Sequence, residues 1–370
     1  MPLDVRPIDR ETHLAFVTER SASFLQCPSW AGVKAEWGHL SLGWYDGPTL
    51  VGAGLVLLRR TPGLERYLAY LPEGPVLDWT AFEPLDVLSP LRCALKKQKA
   101  FAVKIGPQLP VRRWSAATLK AAIADGQAKR LRDVPPDSVD KDAVALTEAL
   151  TELRWRQVGG AGEGFGDVQP RYVFQLPLAG RTEDDLLTGF NQLWRRNIKK
   201  ADKAGVEVSV GGFDDLKDFH ELYVTTAKRD GFTPRGLTYF QRMWKVMSAE
   251  DPGRLKLYLA RLNGEALAAT TAVQVGSHVW YSYGASADHL REVRPSNAIQ
   301  WRMMRDALSG GASVYDLRGI SDTLDPENHL FGLIQFKLGT GGEAVEYAGE
   351  WDFALNPLMY KAFTAYLARR

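Results

Sequence analysis

Lys337 sits where a cation could do chemistry. It ends the apolar run Gly332-Leu333-Ile334-Gln335-Phe336 and precedes the glycine-rich turn Gly339-Thr340-Gly341-Gly342, which leads into a strand pattern. A cation so placed can meet an anion or stabilise a developing oxyanion. A solvated lysine on a helix surface is the plainer alternative. Asp316, Arg318 and Glu343 are candidate charged partners for it. A second group is Thr233-Pro234-Arg235, after Gly231-Phe232 and just ahead of a helical stretch. A hydroxyl and a bidentate donor near a helix N-terminus suit a phosphate. Tyr239, four residues after Arg235, falls on the same side. An arginine–carboxylate bridge would use the same residues. Tyr281 and Tyr283 are two apart in a strand pattern, which puts both phenols on one face. They form either a ligand platform or a core with polar tips. A single helix over Thr182–Ala204 would put Leu187, Phe190, Trp194 and Ile198 on one face and Arg195, Arg196, Lys199 and Lys200 on the others. Those cations form either a solvated face or a contact for an RNA backbone.

Composition limits what these residues can serve. The 370 residues suffice for two ordinary domains. With 45% hydrophobic and 24% charged residues, the chain reads as globular. A net charge of +2 gives no global field for nucleic acid, which excludes a general DNA-binding role and leaves RNA only a local patch. Cys27 and Cys93, the two cysteines, rule out a disulfide framework and fit a reducing cytosol. The start Met1-Pro2-Leu3-Asp4-Val5-Arg6 has no apolar signal core, and no run approaches the ~20 apolar residues of a membrane span. The six histidines are scattered, so no metal is expected.

The elements that must position these residues follow from periodicity and turn signals. Strand patterns cover 3–8, 39–45, 50–59, 67–77 and 100–105, with helices over 9–21, 84–97, 115–130 and 141–155. The pattern then restarts, with strands at 172–176, 206–210, 255–260, 266–275, 278–284 and 314–317. Helices are expected over 182–204, 213–229, 238–248, 296–308 and 357–368. The repetition suggests two similar α/β domains with central mixed sheets, spanning 1–157 and 171–370, with a glycine-rich linker over 158–170. The final helix is expected to pack back on the first domain. Gln157-Val158-Gly159-Gly160-Ala161-Gly162 has the glycine pattern of an acyl-CoA pyrophosphate loop. Such a loop works at a strand-to-helix junction, and this one follows a helix, so it reads as an interdomain loop.

Taken in order, several segments resemble the FemABX family of aminoacyl-tRNA-dependent peptidyltransferases. They are Phe24-Leu25-Gln26 with Ser29-Trp30 and Lys34, Gln169-Pro170-Arg171, and Arg196-Asn197-Ile198-Lys199-Lys200-Ala201 with Gly205-Val206. The series continues through Thr233-x-Arg235 with Tyr239, Trp280-Tyr281-x-Tyr283-Gly284-Ala285-Ser286, Tyr315-Asp316-Leu317-x-Gly319-Ile320 and Phe336-Lys337-x-Gly339. The resemblance implies a fold of two tandem acyl-CoA N-acyltransferase (GNAT)-like domains. It implies transfer of an amino acid from aminoacyl-tRNA to the stem-peptide amine of a peptidoglycan precursor, lipid II or UDP-MurNAc-pentapeptide, in interpeptide bridge formation. No cofactor is implied, because the ester is already activated. The same resemblance makes Lys34, Thr233, Arg235 and Tyr239 contacts of the precursor phosphates, with Tyr281 or Tyr283 as another. It places Phe336 and Lys337 at the chemistry.

Residues 232–255 leave no room for the long helical arm of staphylococcal members, so the chain resembles the arm-less branch. In that branch glycine is expected ahead of alanine. A family acidic residue proposed as a base falls on Gly106 here. The expected location is the cytoplasm, with peripheral contact at the inner membrane face. Two other functions fit the chain: tRNA-dependent amide formation in peptide-antibiotic biosynthesis, and CoA-dependent N-acylation.

Overall fold

The strand Thr49–Arg60 carries Ala53 to Leu58 as an unbroken buried run. A strand buried along such a run needs cover on both faces, so its sheet must lie inside a layered α/β unit. In the computed structural model, which describes residues 3–159 and 168–367, the chain forms two compact units. The first comprises 1–113, 136–172 and 345–370, and the second 114–135 and 173–344. Each unit is therefore built from separate stretches of chain, whereas the sequence reads as two domains in series. Of the expected linker, residues 160–167 lie outside the described residues.

The first unit holds a mixed sheet. From one edge its strands are Asp4–Pro7, Gly38–Asp46, Thr49–Arg60, Tyr67–Leu71, Ala100–Ile105, Trp351–Ala354 and Arg156–Gln157. The short strand Val76–Leu77 pairs beside Gly52 and Ala53. It is split from Tyr67–Leu71 by Pro72-Glu73-Gly74-Pro75, where proline removes ladder donors. The helix Pro84–Lys97 packs Val87, Leu88, Leu91 and Leu95 on the sheet. Proline stands at its first turn, and Lys96 and Lys97 stand at its carbonyl end, as the helix dipole favours. Trp44, fully buried, donates its indole N–H to Val87 O at 2.9 Å, so its polar atom is satisfied inside the core. The final helix, Pro357–Leu367, lays Phe363 against Leu68, Phe101 and Ala102. Arg112 and Arg171 both pair with the buried carboxylate of Glu346.

In the second unit the strands run Glu207–Gly211, Leu255–Leu262, Glu265–Val275, His278–Ser286, Val314–Gly319 and Tyr172–Pro177. The first four form an antiparallel meander. His278–Ser286 and Val314–Gly319 then run parallel, but their ladder covers three positions only and ends at Trp280 opposite Asp316. Beyond that point the two strands part, and the loops that follow them carry the candidate site.

Two local expectations are corrected here. The helix expected over Thr182–Ala204 is two helices, Glu183–Gly189 and Gln192–Lys203. Phe190 is extended at the break, and Asn191 caps the second helix by accepting from Trp194 N at 2.9 Å. The other concerns Tyr281 and Tyr283. Between Thr271 and Ala272 on one strand and Tyr283 and Tyr281 on the next, the register slips by one residue. A bulge of this kind breaks the period of two. The two tyrosines pair with adjacent residues, which point to opposite faces, so they do not share one.

Candidate functional site

Asp316 is fully buried at the last rung before the strands part. Its Oδ2 accepts from Gln175 Nε2 at 3.1 Å, and its Oδ1 accepts from Arg318 N at 2.6 Å. His278 Nε2 stands 3.4 Å away. Burial opposes its negative charge, but His278, Arg318 and Gln175 together hold the carboxyl below its ordinary range. The bond to Arg318 N closes a tight turn in which Arg318 takes φ of +62°, a left-handed conformation that costs a non-glycine residue energy. That turn presents the carbonyls of Arg318 and Gly319 to Lys337, whose Nζ donates to them at 3.2 and 2.6 Å.

Lys337 lies in the helix Phe331–Leu338 and is only 3% exposed. Burial pushes its ammonium down to about 7, while Asp316 pulls it up and Arg318 pushes it down further. It is thus a buried amine poised near neutrality, not a surface cation. Of the charged partners expected from sequence, Asp316 and Arg318 act on it. Phe336, one residue earlier, is half-buried and packs its ring against Trp194 at 4.7 Å. Trp194 Nε1 donates to Phe336 O at 2.7 Å. A Cβ on Gly339 would lie 2.1 Å from Trp194 Cδ1, so the glycine after Lys337 permits this close approach. Phe336 and Trp194 stand on the wall of a cavity of about 370 Å³, and Lys337 is not on that wall.

The basic helix divides by role. Arg195 donates to the carbonyls of Leu187, Thr188 and Phe190, and so closes the end of the preceding helix. Arg196, Lys199 and Lys200 are exposed and have no recorded side-chain partner among the described residues. Arg195 has a structural duty that spacing did not reveal.

Arg235 and Thr233 are exposed ahead of the helix Leu237–Glu250. The Arg235 guanidinium stands 4.6 Å above the Tyr239 ring. The Tyr239 hydroxyl lies 3.2 Å from that of Tyr283, and Tyr283 also hydrogen-bonds Arg235. His220 Nε2 meets Arg235 O at 3.1 Å and fixes the backbone there. Thus Arg235, Tyr239 and Tyr283 come together. Tyr281 is elsewhere: its hydroxyl stands over Gly284, where an added Cβ would be 2.0 Å from it, and burial with the charge of Asp230 pushes it up to about 12.

A model of the FemAB family matches residues 8–266 and 262–367. The chain belongs to the FemAB family. It is 25% identical to a lipid II:glycine glycyltransferase of Staphylococcus epidermidis, over 95% of this chain and 93% of the relative. To the protein of that name in Staphylococcus aureus it is 24% identical, over 96% and 93%. A crystal structure of FemX superposes with a TM-score of 0.79 at 23% identity, covering 97% of this chain and 99% of that one. A tandem GNAT protein of the clavulanic acid biosynthesis pathway gives 0.54 at 10% identity, covering 95% and 98%. These two likenesses concern the fold, and they agree with the expected mixed-sheet, tandem GNAT-like class. The alignment with the S. epidermidis relative runs to 426 positions, more than the 370 residues here, so that relative carries segments without a counterpart. In this FemAB chain residues 232–255 hold the 14-residue helix Leu237–Glu250.

Lys34 lies in the first unit, half-buried at the end of the helix Ser29–Val33, with Nζ 5.6 Å from the Trp30 ring. Ser29 is the first residue of that helix, and Pro28 stands at the cap. Gly106, where the family resemblance implies an acid, has two buried carboxylates beside it. A Cβ there would meet Glu350 Cγ at 3.5 Å and Glu73 N at 3.3 Å. Glu350 accepts from the Tyr70 hydroxyl at 2.5 Å, and Glu73 accepts from Gln108 Nε2 at 3.0 Å. Spacing did not single out Asp316's histidine partner, Trp194 as a cavity wall, or the residues at 291–297. Arg294-Pro295, which marks a helix start, was the available signal for the last group.

No His/Cys/Asp/Glu group that could hold a metal occurs among the described residues. No helix of those residues is long and apolar enough to cross a membrane.

Proposed function

We propose that this FemAB protein transfers glycine from charged tRNA to the free amine of the stem peptide of a peptidoglycan precursor, extending an interpeptide bridge. The observation that carries the reading is the match, over nearly the full length of both chains, to relatives named lipid II:glycine glycyltransferases. It favours glycine over alanine, and lipid II over UDP-MurNAc-pentapeptide. A lipid-linked acceptor would place the reaction at the cytoplasmic face of the membrane.

The chemistry asks little of a cofactor. The acceptor amine attacks the ester carbonyl, a C–N bond forms, the bond to the ribose oxygen breaks, and the amine proton ends on that oxygen. Holding both substrates together contributes about 7 kcal/mol or more. Lys337 carries the cationic charge that answers the tetrahedral oxyanion or the leaving oxygen, an effect of about 3 kcal/mol for comparable donors. Phe336 orients the end of the RNA through its ring and its anchored carbonyl. The precursor phosphates fall to Arg235 and Thr233, with Tyr239 and Tyr283 setting the guanidinium.

Arg235→Ala is expected to weaken binding of lipid II or its soluble nucleotide counterpart at least tenfold by calorimetry, with a smaller effect on the maximal rate. An unchanged dissociation constant would contradict the phosphate role. Glycine incorporation into lipid II, followed by mass, tests the reaction itself.

A further inference from the structure

The first unit carries a cavity of about 570 Å³ that no step of the proposed transfer uses. Its walls include the end of the strand Gly38–Asp46, the residues 79–83 that lead into the helix Pro84–Lys97, and the helix Lys141–Glu152. Four carboxylates line it, those of Asp46, Glu83, Asp86 and Asp142, and none of its described lining residues is a lysine or arginine. Acids in the first turn of a helix answer the helix dipole, which is the plain duty of Asp86 and Asp142. That duty does not account for the other two. Asp46 belongs to a strand, and Glu83 stands at the cap of its helix without making a cap bond. Nor is Asp142 needed to close its helix start, because Asp140 already accepts from Ala143 N at 3.0 Å. Asp46, Glu83 and Asp142 are exposed and have no recorded side-chain partner among the described residues. A concave wall of one charge sign concentrates the opposite charge.

Trp79 gives a second, independent sign. It is 7% exposed, and it packs in the core of the first unit. A buried indole N–H usually finds an acceptor. Trp44, Trp114 and Trp351 each donate to a backbone carbonyl. Trp79 Nε1 has no recorded acceptor among the described residues, yet it is not sealed in the core, and Trp79 opens onto the cavity wall. Phe82, half-buried, adds a second ring to that wall.

We propose that this cavity binds a basic peptide segment of a protein partner, taking an arginine side chain together with a neighbouring peptide carbonyl. The guanidinium meets the carboxylates and the aromatic rings, and the carbonyl accepts from Trp79 Nε1. A planar guanidinium pairs two-pronged with a carboxylate and stacks on an aromatic face, which an ammonium cannot do as well. A single metal ion does not suit these acids, because no His/Cys/Asp/Glu group that could hold one occurs among the described residues. The carboxylates are spread for an extended organic cation instead. A polyamine would answer the acids but leave the indole N–H without an acceptor. The volume lies in the range of small-ligand sites, which limits the bound segment to a few residues.

The test uses the full chain and a fluorescent peptide, blocked at both ends, that carries two arginines between glycines. Binding is followed by anisotropy at about 150 mM salt, where loose surface attraction is screened. The peptide is expected to bind, and Asp46→Asn with Asp142→Asn should weaken it at least tenfold. Trp79→Phe keeps a ring, removes the N–H and should weaken binding several-fold. The same peptide with citrulline for arginine keeps the shape, loses the charge and should not bind. The lysine counterpart should bind at least fivefold less tightly, and spermidine should displace the arginine peptide no better than the lysine counterpart does. Absence of binding, or binding indifferent to the exposed aspartate pair, would overturn the site, even if Trp79→Phe fails to fold. Spermidine or the lysine peptide matching the arginine peptide would overturn it in favour of unselective attraction of cations. Citrulline peptide binding as tightly would overturn the role of charge.

Discussion

Lys337 holds its proton weakly because burial strips water from its ammonium and leaves two carbonyls as its hydrogen-bond partners. Its folded value of about 7 lies below the unfolded value of 10.5, so between those limits the unfolded chain binds the extra proton. Stability from this group therefore rises as pH climbs from about 7 towards 10.5. Lys337→Met lacks this rise. The wild type should gain about 3 kcal/mol over the variant between pH 7 and 9.5, read from paired denaturant curves. A pH-independent difference would show that the amine is not held in this way. The same variant should lower turnover by a factor of a hundred or more while sparing precursor binding. Tyr283 and Tyr281 are separated by their contacts. Tyr283→Phe removes a hydroxyl that meets Tyr239 and Arg235, and should weaken precursor binding several-fold. Tyr281→Phe should leave it unchanged; the reverse order of effects would exchange their roles. The sequence made Lys337 a candidate through its neighbours, but not its burial. Arg318 and Gly319, which hold it, lie 19 and 18 positions away with no periodic relation to it.

At the scale of elements, the break between Gly189 and Gln192 sets Trp194 against Phe336. Asn191 accepts from Trp194 N, and Asn191 N donates to Gly339 O at 2.9 Å. Asn191→Ala should cost about 1 kcal/mol of stability through the lost cap. It should also change the Trp194 environment in near-UV circular dichroism; an unaltered spectrum would argue that the aromatic pair is positioned without the cap. The residues 182–204 read as one helix because the 3,4-spacing of Leu187, Phe190, Trp194 and Ile198 runs through the break. Gly189 and Asn191 were the local signals against it. A helix that opens on proline and keeps a strong periodicity, such as Pro84–Lys97, was legible to its ends. The strand bulge at Tyr281–Tyr283 was not, because a register slip depends on the partner strand and leaves no mark on the period of two.

For the whole molecule, the repeated strand-and-helix order made two α/β units legible, and motif order made the family legible. The interleaving of the units was not. Trp351–Ala354 pairs with Ala100–Ile105 and with Arg156–Gln157, and such distant partners give no local signal. The reach of the FemAB match makes the source of the transferred amino acid the decisive question. The most direct test offers purified protein labelled glycyl-, alanyl- and seryl-tRNA, with lipid II or UDP-MurNAc-pentapeptide as acceptor, with and without prior ribonuclease treatment. The account predicts lipid II extended by one or more glycines from glycyl-tRNA, and none after ribonuclease. Product that survives ribonuclease, or appears with an acyl thioester in place of charged tRNA, would contradict it.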